Sequence, residues 1–308
     1  MSHTAKVVNF IKMNFAETLF FLNEDMKKHT SFKTGGRADL LIEPGDILEL
    51  QVLIQYILKE NIPFIIIGHG SNIIVSDNGI RQVVIKIGKN LSKCTVENDK
   101  LEAEAGALLA DVSQEAQKNG LSGFEFACGI PGTIGGAVFM NAGAYGGEIK
   151  NILEEVLVLT LEGELVIKKI NELELGYRTS IMQTNGDIIL KAKFLLKKGN
   201  KEEIQKEMDE LSRKREETQP LEYPSAGSAF KRPVGHFTGK LIQETNLRGY
   251  QIGGAQVSMK HAGFIINAGN ATTSDILKLI KHIQSEVKNH FDVDLETEVR
   301  FIGEFEIQ

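Results

Sequence analysis

The chain has 308 residues, 42% of them hydrophobic, with 35 Lys and Arg against 41 Asp and Glu. The net charge of −6 argues against a protein that binds nucleic acid through bulk positive charge, and no apolar run approaches the roughly 20 residues of a membrane span. The first residues lack the basic region, apolar core and small-residue cleavage site of a secretory signal. Two cysteines without metal-type spacing, Cys94 and Cys128, read as free thiols of a reducing compartment, so a cytoplasmic enzyme is expected. No metal site is expected from the scattered histidines. The length allows two or three domains.

In chain order, an apolar helical pattern opens the chain, and Thr34-Gly35-Gly36 is a turn signal before a strand over 38–43. Asp46 is a plausible cap for a helix running from Ile47 to about 60, with Leu50, Leu53, Ile54, Ile57 and Leu58 at helical spacing. Pro63 introduces a wholly apolar strand, 64–67, of the kind buried on both faces. Short strands follow over 83–87, 94–97 and 101–105, with Asn98-Asp99 as a hairpin turn. A helix over 109–119 stops at Gly120. Strands over 152–160 and 165–170 flank the Glu162-Gly163 turn, and another covers 188–196. The region 85–198 therefore reads as α+β with largely antiparallel pairing. A charged surface helix over 201–217 carries Ile204, Met208 and Leu211 on one stripe. Residues 221–246 are irregular and then helical, and strands are expected at Val257 and over 264–267. A helix over 272–290 is capped by Thr273 or Ser274, and a last strand runs over 295–302. Its alternation puts Leu295, Thr297, Val299 and Phe301 on one face and Glu296, Glu298, Arg300 and Ile302 on the other.

Two glycine-rich stretches stand out. Gly68-His69-Gly70-Ser71-Asn72 follows the buried strand, as a phosphate cradle would. It lacks the third glycine of GxGxxG and the Gly-Lys-Ser/Thr of a Walker loop, and Ile73-Ile74-Val75 continues as strand. A loop histidine bonded to backbone is the plainer reading of His69. The second stretch, 129–147, holds seven glycines in nineteen residues with almost no charge. Glycines of this density permit positive φ and close backbone approach, and their free N–H groups form anion-seeking nests. Thr133 and Asn141 offer finer contacts. A tightly packed core loop is the alternative.

Three further segments put ionisable residues in structural patterns. Gly176-Tyr177-Arg178-Thr179-Ser180 could present a bidentate carboxylate fork, or only a surface arginine stacked on a tyrosine. The run 225–233, SAGSAFKRP, could approach an anion closely. It is not a hydrolase elbow, and Ser228 has no obvious adjacent base. The last strand could be an exposed ladder of ion pairs.

Taken together and in this order, GxGSN, GIPGxxGGAxxMNAGAYG, GYRxS, GSxFKRP, GYQIGGAxV and EVRFIG resemble the UDP-N-acetylenolpyruvoylglucosamine reductases, with the resemblance running from Asn23 onward. It implies an α+β fold: a two-subdomain FAD-binding fold of the vanillyl-alcohol oxidase and cresol methylhydroxylase type, plus a C-terminal α+β substrate-binding domain. The implied division is 1–84 with 299–308, then 85–200, then 201–298. By motif match, FAD would be held by Thr34, Gly35, Gly68, Gly70, Ser71, Asn72 and Ile73. The second stretch would add Gly129, Ile130, Pro131, Gly132, Thr133, Gly135, Gly136, Asn141, Gly143, Ala144, Tyr145 and Gly146. The matching catalytic residues are Arg178, Ser228 and Glu298.

In the chemistry so implied, NADPH reduces FAD and hydride passes from flavin N5 to the terminal vinyl carbon of UDP-N-acetylglucosamine enolpyruvate. Arg178 and Glu298 polarise the substrate carboxylate, and Ser228 delivers the proton. Tyr177, Lys231, Arg232, Lys260 and His261 are the implied substrate contacts, and a monomer or weak homo-oligomer is expected. The segment after GYRTS carries no tyrosine-bearing loop of the longer family form, so the chain resembles the shorter class. Arg232 stands where the longer class has asparagine. An oxidase of the same fold and a non-catalytic flavin or nucleotide-sugar module are the alternatives: the Ser228 and Glu298 pair discriminates against the first, and the second predicts bound flavin that NADPH cannot reduce.

Overall fold

A computed structural model describes residues 2–305. The chain divides into two units. The first takes Met1–Leu22, Leu40–His69 and Gln82–Lys214, and the second takes Asn23–Asp39, Gly70–Arg81 and Arg215–Gln308. It changes unit inside the strands Leu19–Asp25, Arg37–Glu43 and Ile80–Lys86, inside the helix Lys201–Thr218, and between His69 and Gly70.

In the first unit, the helix His3–Asn14 is capped by Ser2 and buries Val7, Val8 and Ile11. The strand Leu19–Asp25 that follows was not expected. Most of its residues are exposed or half-buried, so LFFLNED shows no apolar alternation to read. The helix Ile47–Lys59 starts where Asp46 accepts the Glu49 amide at 2.8 Å, and it buries Leu50, Leu53, Ile54 and Ile57 completely. Each such side chain contributes about 1.5–3 kcal/mol of burial. The strand Phe64–Ile67 pairs in parallel with Ile80–Lys86, from Phe64 opposite Val83 to Ile67 opposite Lys86. Only Ile67 is fully buried, because the strand has a hydrogen-bonded neighbour on one side alone. The expectation of burial on both faces is corrected accordingly.

The main sheet of this unit has five antiparallel strands in the order Leu165–Lys169, Leu153–Leu159, Ile188–Leu195, Lys100–Glu104, Cys94–Glu97. Asn98, at φ 59°, turns the hairpin in which Glu97 faces Lys100, as the asparagine there suggests. The helices Leu109–Lys118 and Ile134–Phe139 bury Leu109, Val112, Ala116, Ile134, Ala137 and Val138 in the core that this sheet shares.

The second unit has its own core, built on Phe32, Ile74, Phe230, Leu241, Val257, Ile276, Leu279, Ile283 and Val299. Its long helix, Thr273–Phe291, is capped one residue earlier than expected. The Thr272 hydroxyl accepts the Asp275 amide and the Asp275 carboxylate accepts the Thr272 amide, both at 3.0 Å, a reciprocal capping box. The Thr273 and Ser274 amides instead donate to the Asp77 carboxylate at 2.9 and 2.8 Å. A three-stranded antiparallel sheet orders Gln251–Ile252, Ala255–Val257 and Ile265–Asn267.

The closing strand is shorter than its pattern suggests. Only Arg300–Ile302 is regular strand, parallel to Ile73–Val75. Leu295 and Val299 are buried as the alternation requires, but Phe301 is 40% exposed and Ile302 only 7%. No helix among the described residues is long and apolar enough to cross a membrane, and no group of His, Cys, Asp or Glu among them is placed to hold a metal ion.

Candidate active site

In the first unit, the glycine-rich stretch is a short helix followed by a tight hairpin. Thr133 caps the helix Ile134–Phe139, its hydroxyl accepting the Gly136 amide at 3.4 Å. The Ile134 and Gly135 amides are spent on the carbonyls of Ala107 and Ala105, at 2.9 and 2.8 Å, and Ile130 donates to Ala127. The open helix N-terminus expected for a phosphate cradle is therefore mostly closed by protein. Among the described residues, the amides of Gly129, Gly132 and Thr133 remain without a protein acceptor. Gly68, at the end of the strand Phe64–Ile67, approaches this loop so closely that a Cβ would stand 2.6 Å from the Thr133 hydroxyl. That contact explains a glycine at 68 better than turn geometry does.

Gly143–Ala144 and Gly147–Glu148 then pair as a hairpin. Tyr145 and Gly146 are its two central residues, both at positive φ, 52° and 88°. This is the pattern of a type I′ turn, in which Asn-Gly is the usual occupant. Tyr145 is held in a strained position with its ring 46% exposed. Asn141 is fully buried, and its side chain is engaged on every side. Its amide donates to Glu148 at 2.8 Å and to the Gly176 carbonyl at 2.9 Å, and its oxygen accepts the Lys150 amide at 2.9 Å. Asn141, expected as a cofactor contact, ties the glycine-rich stretch to the GYR turn.

That turn runs from Gly176 to Thr179, which face each other as an isolated bridge. Arg178 has φ 57°, positive at the second central residue, where a type II turn favours glycine or asparagine. Its guanidinium lies 5.1 Å from the centre of the exposed Tyr177 ring and donates to the Gly143 carbonyl at 3.3 Å. Of the readings offered for this arginine, the stacking on Tyr177 is present, and the guanidinium also reaches the hairpin of the glycine-rich stretch.

In the second unit, Ser228 and Glu298 are brought together by backbone. The Glu298 amide donates to the Ala229 carbonyl at 2.9 Å and the Lys231 amide to the Glu296 carbonyl at 2.8 Å, while Phe230 bridges Thr297 and Ser228 bridges Phe264. SAGSAFKRP is an irregular segment tied down by isolated bridges at Ser228 and Phe230. The Ser228 hydroxyl donates to the Phe230 carbonyl at 2.9 Å. The first glycine loop adjoins the same strand, since the Asn72 side chain donates to the Glu298 carbonyl at 3.1 Å. Ile73 pairs with Arg300 in the parallel ladder. On the last strand, considered as an exposed ladder of ion pairs, Glu296 pairs with Lys231.

The cations expected at a substrate diphosphate have other engagements. Lys231 is on Glu296. Arg232 donates to the His236 carbonyl at 3.0 Å and lies 3.8 Å over the Phe237 ring. Lys260 donates to the Glu216 carbonyl. His261 accepts the Gly263 amide on Nδ1 at 3.1 Å, which leaves its proton on Nε2. Burial is the main cause holding its pKa below the ordinary histidine value.

The residues present fit a flavin dinucleotide. Thr34 is fully buried and its hydroxyl has no hydrogen-bond partner, a costly state unless a ligand completes it. Gly70, at φ 75°, has no room for a Cβ, which would meet the His29 carbonyl at 1.9 Å. The unsatisfied amides at Gly129, Gly132 and Thr133 add donors suited to phosphate.

Two residues went unnoticed in the sequence. Gln183 donates to the carbonyls of Phe139 and Arg178 at 2.9 and 3.1 Å. Glu125 is buried with one carboxylate oxygen on the Gly123 amide at 2.7 Å and the other unpartnered. Neither sits in a pattern that signals its role.

Comparison with known proteins agrees with this geometry. Residues 38–167 match the family described as FAD binding domain, and residues 219–302 match UDP-N-acetylenolpyruvoylglucosamine reductase, C-terminal domain. The chain is 53% identical over 283 residues to the UDP-N-acetylenolpyruvoylglucosamine reductase of Clostridium kluyveri, covering 92% of this chain and 93% of that one. It is 51% identical over 304 residues to that of Clostridium beijerinckii, covering 99% and 100%. The similarity thus includes the first residues, contrary to the expectation that it begins at Asn23. The crystal structure of the reductase from Thermus caldophilus superposes with a TM-score of 0.80 at 35% identity, over 94% of this chain and all of that one. The chain belongs to the UDP-N-acetylenolpyruvoylglucosamine reductase family.

Proposed function

We infer that this chain is an FAD-containing, NADPH-dependent oxidoreductase that reduces the enolpyruvyl group of UDP-N-acetylglucosamine enolpyruvate to give UDP-N-acetylmuramate. At residue level, one observation carries the reading: the ladder in which the Glu298 amide bonds to the carbonyl next to Ser228. A flavin-binding module or an alcohol oxidase has no need of that pair. FAD, when bound, supplies the hydride relay between NADPH and the vinyl carbon. In the first unit Gly68, Gly129, Gly132, Thr133 and Gly135 would contact it, and in the second Thr34, Gly35, Gly70 and Ser71 are the residues expected to do so.

Addition of hydride to the terminal carbon leaves negative charge at the carbon bearing the carboxylate, spread into the carboxylate as an enolate. Arg178 binds that carboxylate with its planar fork and stabilises the charge as it develops. Glu298 serves as the neutral acid, because an ionised carboxylate would repel the substrate. Ser228 gives its hydroxyl proton to the charged carbon. For this its hydroxyl turns from the Phe230 carbonyl to the substrate. The enolate is basic enough to draw a proton from a serine that water would not deprotonate.

Lys231, Arg232, Lys260, His261 and Tyr177 bind the nucleotide sugar, after Lys231 exchanges Glu296 for phosphate. The functional division is 1–84 with 299–308 and 85–200 for FAD, and 201–298 for substrate. The enzyme works in the cytoplasm as a monomer or weak homo-oligomer.

The test is anaerobic flavin absorbance of the purified protein. Bleaching by NADPH followed by recovery on adding UDP-N-acetylglucosamine enolpyruvate is the expected result. Bleaching without recovery would remove the substrate from this reading, and protein that takes up no FAD would remove the cofactor site.

A further inference from the structure

The turn that carries Arg178 is poorly able to hold itself. Its own two backbone hydrogen bonds are long, 3.2 and 3.4 Å between Gly176 and Thr179, and Arg178 occupies a left-handed position at φ 57° that a side chain disfavours. Such a conformation persists only where its surroundings enforce it.

The enforcement comes from Gln183. Its carboxamide nitrogen has two N–H groups. It donates to the Arg178 carbonyl at 3.1 Å and to the Phe139 carbonyl at 2.9 Å. Phe139 is the last residue of the helix Ile134–Phe139, so its carbonyl lies at the C-terminal end, where donors from outside the helix are needed. One amide group thus fixes the backbone of the arginine against the end of the glycine-rich helix. Ser180 anchors the next stretch to the same carbonyl at 2.7 Å.

We propose that Gln183 is a positioning residue for the enolpyruvyl-reducing step: it holds Arg178 in its left-handed conformation and so aims the guanidinium. The inference rests on the assignment of Arg178 to the substrate carboxylate. A shift of about 1 Å in such a group costs on the order of a hundredfold in rate.

The test separates the two half-reactions in Gln183→Met, which keeps the side chain's shape and removes both donors. Flavin bleaching by NADPH should change by less than about threefold, while reoxidation by UDP-N-acetylglucosamine enolpyruvate slows at least about tenfold. Binding of that substrate to the oxidised protein, followed by flavin absorbance perturbation, should weaken in parallel. In an Arg178→Lys background the same substitution should cost less than about twofold, because a residue acting through Arg178 has nothing left to position.

Equal slowing of both half-reactions, or full additivity with Arg178→Lys, would overturn the inference and leave a merely structural glutamine. So would a Gln183→Met protein that behaves as wild type while Arg178→Lys is slow. A normal second half-reaction in Arg178→Lys would instead bring down the assignment of Arg178 itself. If Gln183→Met does not fold, Gln183→Asn, which withdraws the amide by one methylene, is read by the same criteria.

Discussion

The side-chain amide of Asn72 donates to the backbone carbonyl of Glu298 at 3.1 Å, across 226 residues of chain. The Asn72 carbonyl accepts the Arg300 amide at 3.0 Å, so the asparagine holds the backbone on either side of Val299, beginning with the Glu298 carbonyl. A residue that reads from its motif as a cofactor contact is, in this unit, a register pin for the strand that carries Glu298.

Asn72→Leu has similar volume and no donor. It removes the side-chain hydrogen bond to the Glu298 carbonyl, at a cost of about 0.5–1.5 kcal/mol in stability. At saturating FAD, flavin reduction by NADPH is expected to stay within about threefold of wild type, with the enolpyruvyl step slowed about tenfold or more. Stopped-flow absorbance resolves the two, and an unchanged second step would show that Glu298 keeps its place without the amide.

Ser228→Ala should separate the half-reactions more sharply. Among the described residues the serine hydroxyl bonds only to the Phe230 carbonyl, so its loss disturbs little of the fold. Proton delivery by a positioned group contributes about 10²–10⁴ in rate, and the second half-reaction should fall by that order with flavin bleaching intact. Equal slowing of both halves would remove the proton-donor role.

Arg178→Gly sets stability against function. The left-handed φ costs an arginine about 1–3 kcal/mol and a glycine nothing. Glycine in turn loosens the unfolded chain by about 0.4–1 kcal/mol and forfeits the contacts to Tyr177 and Gly143. Denaturant unfolding of the apoprotein should therefore show stability held or slightly raised, while enolpyruvyl reduction is nearly abolished. A loss of several kcal/mol would mean that the arginine's contacts outweigh its backbone strain.

Local pattern revealed much of this molecule and long-range geometry the rest. The stripe from Leu50 to Ile57 and the Asn98 hairpin were legible because helix period, cap and turn chemistry are written within a dozen residues. The strand Leu19–Asp25 was not, since its side chains are mostly exposed and no alternation marks them. The Thr272 cap was missed by one residue because Thr273 and Ser274 are equally good caps by composition. The Asp77 carboxylate that claims their amides lies about two hundred residues away in the chain. At the site, the glycine stretches signalled close approach, as Gly68 against Thr133 bears out. Which amides were already spent, and what Asn141, Asn72 and Gln183 hold, depended on partners that no spacing encodes.

His261 makes stability depend on pH in a definite direction. Burial, chiefly, lowers its folded pKa below the unfolded value near 6.5, so the unfolded chain binds the proton more readily. Its contribution is complete above pH 6.5 and is lost as pH falls through the lower folded value. The carboxyls held low, Glu24 and Asp275, titrate in a more acid range. Urea unfolding between pH 7.5 and 5.5 should therefore show a decline that His261→Gln flattens, since glutamine can still accept the Gly263 amide. An equal decline in both proteins would place the pH dependence elsewhere.

The Cys94 thiol should be nearly inert at neutral pH. Burial, with a smaller contribution from the charge of Glu115, pushes its pKa up to about 11. Only about one thiol in a thousand is then ionised at pH 8, and the thiolate is the form that reacts. Iodoacetamide labelling of the native protein at pH 8, read by peptide mass, should modify Cys94 far more slowly than after unfolding in urea. The rate should climb about tenfold for each pH unit up to pH 10, provided the fold persists. Rapid labelling at pH 8 would mean that the thiol is exposed by opening of the strand Cys94–Glu97, an edge strand paired only with Lys100–Glu104. Hydrogen exchange of the Thr95 and Glu97 amides would then report the same opening.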